Sequence, residues 1–244
     1  MLLGDVFTTF DTQDSGNVSY GVRVGERRFF VKTAGRADDS EHAARVARLR
    51  NAVAIATCCQ HHALSVLDHV IESPSGPLLV YDWFDGELLG VSSARRDDPT
   101  SSFVRFRALS PDVIAAALTT IYDLHAELAR AGWVAVDFYD GCLMYDFALQ
   151  ELRVIDLDMY SRGPFTNTMG RLFGSTRFMA PEEFELGARI DERTTVFNLG
   201  RAAFVFLDER GTTPQRAAAT RACNPDSAAR FATVADFLEA WSGH

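Results

Sequence analysis

No apolar run in this sequence approaches the roughly 20 residues that a membrane-spanning helix needs. The first five residues, Met-Leu-Leu-Gly-Asp, also lack the basic segment and apolar core of a signal peptide. Internal repeats and low-complexity segments are missing as well. These absences predict a cytoplasmic protein that has no membrane partner.

Cysteine and positive charge are also scarce. The four cysteines among 244 residues form no CxxC pair and show no metal-ligand spacing, which is typical of reduced thiols. A net charge of −9 argues against a nucleic-acid partner. It does not exclude ATP, because a nucleotide site needs only a few local cations and Mg²⁺.

The patterned segments predict an α+β protein with two lobes. Antiparallel strands are expected within 5–32 and again at 64–71 and 78–81, giving five strands in all. A helix is expected between them, from about Asp38 to Cys59, because small and apolar residues recur at helical spacing. A composition change near Asp85 predicts a β-rich lobe over 1–85 and a mostly helical lobe over 86–244.

The helical lobe contains one strongly amphipathic segment, 111–131, with apolar residues at helical spacing. Further helices are expected over 194–207, 214–223 and 234–241. The apolar face of the segment 111–131 consists of Ile114, Leu118, Ile121, Leu124 and Leu128.

Between these helices lies a stretch of short apolar strands that end in acids, 133–158. Carboxylates placed at the ends of buried strands suit a divalent cation and phosphate groups. An ordinary β-hairpin with solvated acidic turns has the same pattern, so this stretch alone does not choose between the two.

The most specific motif is the run 174–182, Gly-Ser-Thr-Arg-Phe-Met-Ala-Pro-Glu. It closely resembles the end of the activation segment of serine/threonine protein kinases. The chain as a whole resembles a protein-kinase-like phosphotransferase of an atypical, bacterial type, with a two-lobed fold. In that family an arginine near the last helices pairs with the glutamate of Ala-Pro-Glu, which here implies a structural ion pair between Glu182 and Arg230.

In the first lobe, the resemblance implies a binding site for ATP. Lys32, at the end of a hydrophobic strand, would hold the α- and β-phosphates, with Glu41 as its partner on the helix. The loop that includes Gly16 and Asn17 would lie over the phosphates, although its composition also fits a simple hairpin turn. Backbone groups near Asp82 and Phe84 would bind adenine.

In the second lobe, the resemblance places Asp137 at the catalytic aspartate, which accepts or orients the proton of the attacking hydroxyl. Asp156 lies at the metal aspartate, and Mg²⁺ or Mn²⁺ is the implied ion. Cys142 occupies the position of a metal-binding asparagine, where a neutral thiol is a poor ligand. Asp158 is an extra carboxylate that restores a second ligand, and Asp140 is another candidate substitute.

Other departures concern the surroundings of Asp137. Ala135 and Val136 replace the usual His-Arg, and Tyr139 replaces a lysine that steadies the γ-phosphate. Thr195 replaces an aspartate that braces the catalytic loop. The chain between Asp208 and Pro214 is too short for the helix on which many protein kinases dock substrates.

Three functions therefore stay open. The first is an ATP-dependent kinase that phosphorylates protein serine or threonine, since the chain retains Lys32, Asp137 and Asp156. The second is a kinase for a small-molecule hydroxyl, such as an antibiotic or a sugar. The third is a pseudokinase that binds a nucleotide or a partner without turnover.

Overall fold

The computed structural model describes residues 4–11 and 16–243. The chain divides into two compact units. The first comprises Met1–Gln60 with Leu64–Asp85, and the second comprises His61–Ala63 with Gly86–His244. Each unit has its own sheet and its own buried residues, so each is described by itself.

The first unit is an antiparallel sheet of five strands with one helix, as the sequence predicted. The strand order is β1-β2-β3-β5-β4, and every neighbouring pair is antiparallel. The elements are β1 (Asp5–Phe10), β2 (Val18–Val24), β3 (Arg27–Thr33), α1 (His42–Cys58), β4 (Leu67–Ile71) and β5 (Leu78–Asp82).

The two faces of this sheet bury different residues because side chains alternate along a strand. Val22, Phe29, Val31 and Val80 form a cluster on one face. On the other face, Leu79 packs with Ala34 and with residues of α1. Lys32 follows Val31 in β3 and belongs to this second face.

Helix α1 is shorter at its start than the sequence predicted. Residues Asp38–Ser40 form turns, and the helix begins at His42. The carboxylate of Asp39 accepts the backbone N–H of Glu41 at 2.9 Å, which closes a local turn instead of a helical one.

The second unit is mostly helical, with small antiparallel pairings. Its elements are β6 (Glu87–Leu88), α2 (Ser102–Arg107), α3 (Pro111–Arg130), β7 (Trp133–Val134), β8 (Leu143–Asp146), β9 (Glu151–Val154), β10 (Ser161–Arg162), β11 (Phe165–Thr166), β12 (Arg189–Ile190), α4 (Glu192–Phe206), α5 (Thr213–Ala222) and α6 (Val234–Ser242). The strands form three groups, β6-β8-β9, β10-β7 and β11-β12.

The core of this unit is built around α3. All five apolar residues predicted for its buried face are 0–1 % exposed. Ser110 caps the helix by accepting the N–H of Val113, and Pro111 occupies its first turn. On the same helix Tyr122 packs against Phe237 and Trp241 of α6, so α3 and α6 share the core.

The acidic stretch is arranged differently from a simple run of neighbouring strands. Only β8 and β9 form a hairpin, while β7 pairs with β10. The segment from Asp137 to the one-turn helix Asp140–Cys142 therefore runs between two separate sheets. In the described part of the chain, no helix is long and apolar enough to cross a membrane.

Candidate functional site in the second unit

Asp137 lies in a loop that is fixed on both sides. The backbone N–H of Ala135 donates a hydrogen bond to the hydroxyl of Thr195 on α4, at 2.9 Å. The thiol of Cys142 donates to the carbonyl oxygen of Asp137 itself, at 3.2 Å. Asp137 also has a φ of 63°, a left-handed conformation that costs energy for a residue other than glycine. The loop is therefore held in one strained geometry by its neighbours.

The carboxylate of Asp137 faces the segment that contains Gly174. A β-carbon placed on Gly174 would lie 3.7 Å from Oδ1 of Asp137, and Gly174 has a φ of 133°. This conformation favours glycine. The backbone of the segment therefore runs beside the carboxylate, with no side chain of residue 174 between them.

Several carboxylates surround the thiol of Cys142. Burial is the main cause that raises the pKa of this thiol, and the charges of Asp156, Asp137 and Asp158 raise it further. Burial also raises the pKa of Tyr139, assisted by Cys142, Asp137 and other nearby acids. The structure thus groups the predicted acids in one region, and it keeps Cys142 in its neutral form.

The two predicted metal ligands, Asp156 and Asp158, differ in their exposure. Asp156 is exposed and has a φ of 62°, whereas Asp158 is 5 % exposed. Among residues 4–11 and 16–243, no group of three or more His, Cys, Asp or Glu side chains is arranged to hold a metal ion. Magnesium is commonly bound by one or two carboxylates together with substrate phosphates and water. Asp156 with Asp158 fits that mode of binding, and the neutral, buried thiol of Cys142 does not.

Asp140 lies beside an arginine of the 174–182 run. Its side chain, 3 % exposed, forms an ion pair with Arg177. Burial raises the pKa of Asp140, while Arg177 and then Arg96 oppose that shift. The structure thus gives Asp140 a role in this ion pair, and its role as a substitute for Cys142 at the metal stays a prediction. Sequence reasoning did not find Arg177, because no local pattern connects positions 140 and 177.

A buried hydrogen bond lies behind the loop. Nε2 of His125 on α3 lies 2.7 Å from the hydroxyl of Tyr160, and the His125 ring contacts Phe138 edge-on. Burial lowers the pKa of His125 to about 4, so the ring is neutral at pH 7. No local pattern of the sequence predicts this pair, because its two residues lie 35 positions apart.

The predicted ion pair between Glu182 and Arg230 is confirmed. Nη1 and Nη2 of Arg230 lie 2.6 Å and 2.9 Å from the two carboxylate oxygens of Glu182, and the Arg230 side chain is fully buried. Thr194 adds a hydrogen bond to the same carboxylate at 2.8 Å. The bidentate geometry joins the Ala-Pro-Glu end of the segment to the chain before α6.

Glu183 forms a second buried site beside this pair. One oxygen of its carboxylate accepts the N–H of Ala180 at 2.6 Å and the amide of Asn198 at 2.8 Å. Burial nevertheless raises its pKa to about 7, because the loss of hydration outweighs these hydrogen bonds.

The predicted phosphate-binding residues lie in the first unit. Lys32 in β3 is 8 % exposed and lies opposite Ser19 and Leu79 in the sheet. Glu41 precedes α1 and is exposed, so the pairing of Lys32 with Glu41 stays a prediction. Lys32 is also the single lysine of the sequence.

The buried charged residue of α1 is Arg45 rather than an acid. It donates to the carbonyl of Ala34 at 2.7 Å and pairs with Asp39 at 3.0 Å. A β-carbon on Gly16 would lie 2.8 Å from Nη1 of Arg45, and the φ of 71° at Gly16 favours glycine. Asn17, next to Gly16, is 2 % exposed. Arg45 therefore lies beside Gly16, at the described end of the predicted phosphate loop.

The predicted adenine-binding stretch ends the first unit. The N–H of Asp82 donates to the carbonyl of Val66 at 3.0 Å, and its side chain pairs with Arg27 at 2.9 Å. Phe84 is half-buried just after β5. Contacts of Asp82 and Phe84 with a nucleobase stay a prediction.

Comparison of the sequence with protein-family models and with curated proteins finds no match. The resemblance to protein kinases therefore rests on the residues and contacts described above.

Proposed function

We propose that this chain has a protein-kinase-like fold and transfers the γ-phosphoryl group of ATP to a hydroxyl. The observation that carries the proposal is the bidentate ion pair of Glu182 and Arg230, which the resemblance implied across 48 positions of sequence. A chance similarity of nine residues would not imply a bidentate contact with a distant arginine. The braced position of Asp137 gives further support.

In this proposal Asp137 receives the proton of the acceptor hydroxyl. The hydroxyl oxygen forms a bond to the γ-phosphorus, the bond from that phosphorus to the β-γ bridging oxygen breaks, and ADP leaves. Because the loop is held on both sides, Asp137 needs no reordering before reaction, and the rate gain comes from positioning. Lys32 contributes a positive charge for the ATP phosphates.

A divalent cation is implied for this chemistry. Asp156 and Asp158 would hold Mg²⁺ or Mn²⁺, which when bound would offset the charge of the phosphates. Asp156 supplies the exposed carboxylate, and Asp158 lies two residues further along the chain.

We propose protein serine or threonine as the acceptor. The segment from Gly174 to Glu182 lies directly beside the Asp137 carboxylate and ends in the buried Arg230 pair. A backbone segment fixed at this place offers an edge against which an extended peptide can lie.

One observation favours a small-molecule acceptor instead. The described chain has only the one-turn helix Asp208–Arg210 between α4 and α5, as the sequence predicted. A surface on which a large protein substrate could dock is correspondingly reduced. The neutral thiol of Cys142 favours the third alternative, binding of nucleotide without turnover.

The deciding experiment incubates the purified protein with γ-labelled ATP and Mg²⁺ or Mn²⁺, alone and with a generic protein substrate. We expect labelled serine or threonine, and no labelling with Asp137→Asn, which should still bind ATP because it keeps the size of the side chain. Full turnover by Asp137→Asn would contradict the assignment. Turnover only with added small-molecule alcohols would select the second function, and nucleotide binding alone the third.

The single lysine allows an independent test of the first unit. An amine-reactive ATP analogue should modify Lys32, and free ATP should protect it. The matched control is Lys32→Arg, which keeps the charge but loses the reactive amine. Labelling that ATP does not reduce would remove Lys32 from the proposed site.

A further inference from the structure

The ion pair between Asp140 and Arg177 joins two segments that the proposed function uses. Asp140 lies three residues after Asp137, in the one-turn helix Asp140–Cys142. Arg177 lies three residues after Gly174, whose backbone borders the Asp137 carboxylate. The pair therefore spans the two sides of the proposed acceptor site.

Arg177 is fixed by contacts on several sides. Its guanidinium lies 5.5 Å from the ring centres of both Phe103 and Phe178. Its backbone carbonyl accepts a hydrogen bond from Nε of Arg201 on α4, at 2.8 Å. Because both its side chain and its backbone are anchored, Arg177 transmits the position of α2 and α4 to the segment.

The carboxylate of Asp140 is nearly inaccessible to water, so water cannot replace Arg177 as its partner. Its side chain is 3 % exposed, and burial raises its pKa while Arg177 is the largest opposing influence. A buried carboxylate that loses its arginine is strongly unfavourable. The structure thus couples the conformation of the 174–178 segment to that of the loop that carries Asp137.

We propose that Asp140 and Arg177 are positioning residues that assemble the acceptor site through an internal charge pair. The inference rests on the proposed function for its catalytic consequence, since the pair acts through Asp137 and Gly174. It also predicts that the segment is ordered by the residues of the chain themselves, without a negative charge added by modification. The position directly before Asp137 is Val136, so no arginine stands at that position to form an ion pair with an added negative charge.

The first test measures hydrogen exchange of backbone amides in the full chain. We expect Arg177→Gln and Asp140→Asn to raise exchange in 137–142 and 174–179, with unchanged exchange in helix 111–130 as an internal reference. Arg177→Lys should restore part of the protection. The matched control is Arg189→Gln, which removes an exposed arginine that pairs only locally with Asp191.

The double variant Asp140→Asn with Arg177→Gln guards against simple unfolding, because it leaves no unpaired buried charge. It should fold better than either single variant and still show faster exchange at 174–179. Wild-type exchange in Arg177→Gln, or in the double variant, would overturn the inference.

The second test measures phosphoryl transfer. Each single variant should lower kcat/KM for the acceptor by about tenfold or more, and should change the Kd for ATP by no more than about twofold. An equal loss of ATP affinity would indicate a general structural defect and overturn the positioning role. If the wild-type protein transfers no phosphate, the proposed function fails, while the exchange experiment still decides whether the pair orders the segment.

Discussion

The hydroxyl of Thr195 accepts a hydrogen bond from the backbone N–H of Ala135, 60 positions earlier in the chain. Thr195 therefore braces the Asp137 loop, at the position where the resemblance implied a bracing aspartate. A neutral hydroxyl makes this bond without adding another negative charge beside the acids of the loop.

Thr195→Val should destabilise the protein by roughly 1–3 kcal/mol, because it leaves the N–H of Ala135 buried without a partner. Ala135 is 1 % exposed, so water cannot replace the lost bond. Urea denaturation measures the effect. Thr195→Ser keeps the hydroxyl and is the control; equal stability of the valine and serine variants would contradict the brace.

Arg230→Met should cost about 3–5 kcal/mol, because it leaves the largely enclosed carboxylate of Glu182, 13 % exposed, without its charge partner. The comparison is Arg36→Met, which removes one partner of the exposed pair Arg36–Asp38 and should change stability little. Chemical denaturation of the two variants should separate them clearly. A small loss in Arg230→Met would mean that the bidentate pair is not a main support of the fold.

The raised pKa of Glu183 predicts that the stability of the protein depends on pH. Its pKa of about 7 lies above the ordinary value of 4.5, so between these values the folded state holds a proton that the unfolded state releases. This contribution is fully present below about pH 4.5 and is lost as the pH rises to 7, by on the order of 3 kcal/mol. Glu183→Gln should remove this dependence, as seen in denaturation curves at several pH values.

His125 makes stability depend on pH in the opposite direction. Its pKa of about 4 in the folded state, against an ordinary 6.5, makes stability fall as the pH drops from 6.5 towards 4. The difference between wild type and Glu183→Gln cancels this common contribution. A difference that stays constant from pH 4.5 to 7 would exclude Glu183 as the source.

Asp156→Asn should abolish the part of ATP binding that depends on Mg²⁺ or Mn²⁺. In wild type, ATP with a divalent cation should raise the melting temperature more than ATP alone. The variant should show equal shifts with and without the cation, because an amide is a weaker ligand than a carboxylate. Glu151→Gln, an exposed change in the neighbouring hairpin, should behave as wild type.

Cys142→Asn should preserve or raise phosphoryl transfer. The asparagine amide can still donate to the carbonyl of Asp137, and its oxygen is a harder ligand than a thiol. Cys142→Val has a similar volume but no donor, and should lower activity by loosening the loop. A large loss in Cys142→Asn would mean that the thiol has a role of its own.

Features that depend on nearby residues were predicted well. The apolar period of 111–131 predicted α3 and its buried face, and short apolar runs bounded by turn residues predicted the five strands of the first sheet. The start of α1 was wrong by about four residues, because the carboxylate of Asp39 closes a turn that competes with the helix. The Glu182–Arg230 pair was predicted only because a motif resemblance supplied a long-range relationship.

The sequence by itself determined which segments become helices and strands, since their periodicity dictates which side chains must be buried. It also determined the chemical types at the candidate site, with Asp137, Asp156 and Asp158 close along the chain. Tertiary structure alone decided that β7 pairs with β10, that Thr195 braces Ala135 and that Arg177 takes Asp140. These contacts join residues 27 to 60 positions apart, where no local period relates the two partners, so only the folding of the whole unit brings them together.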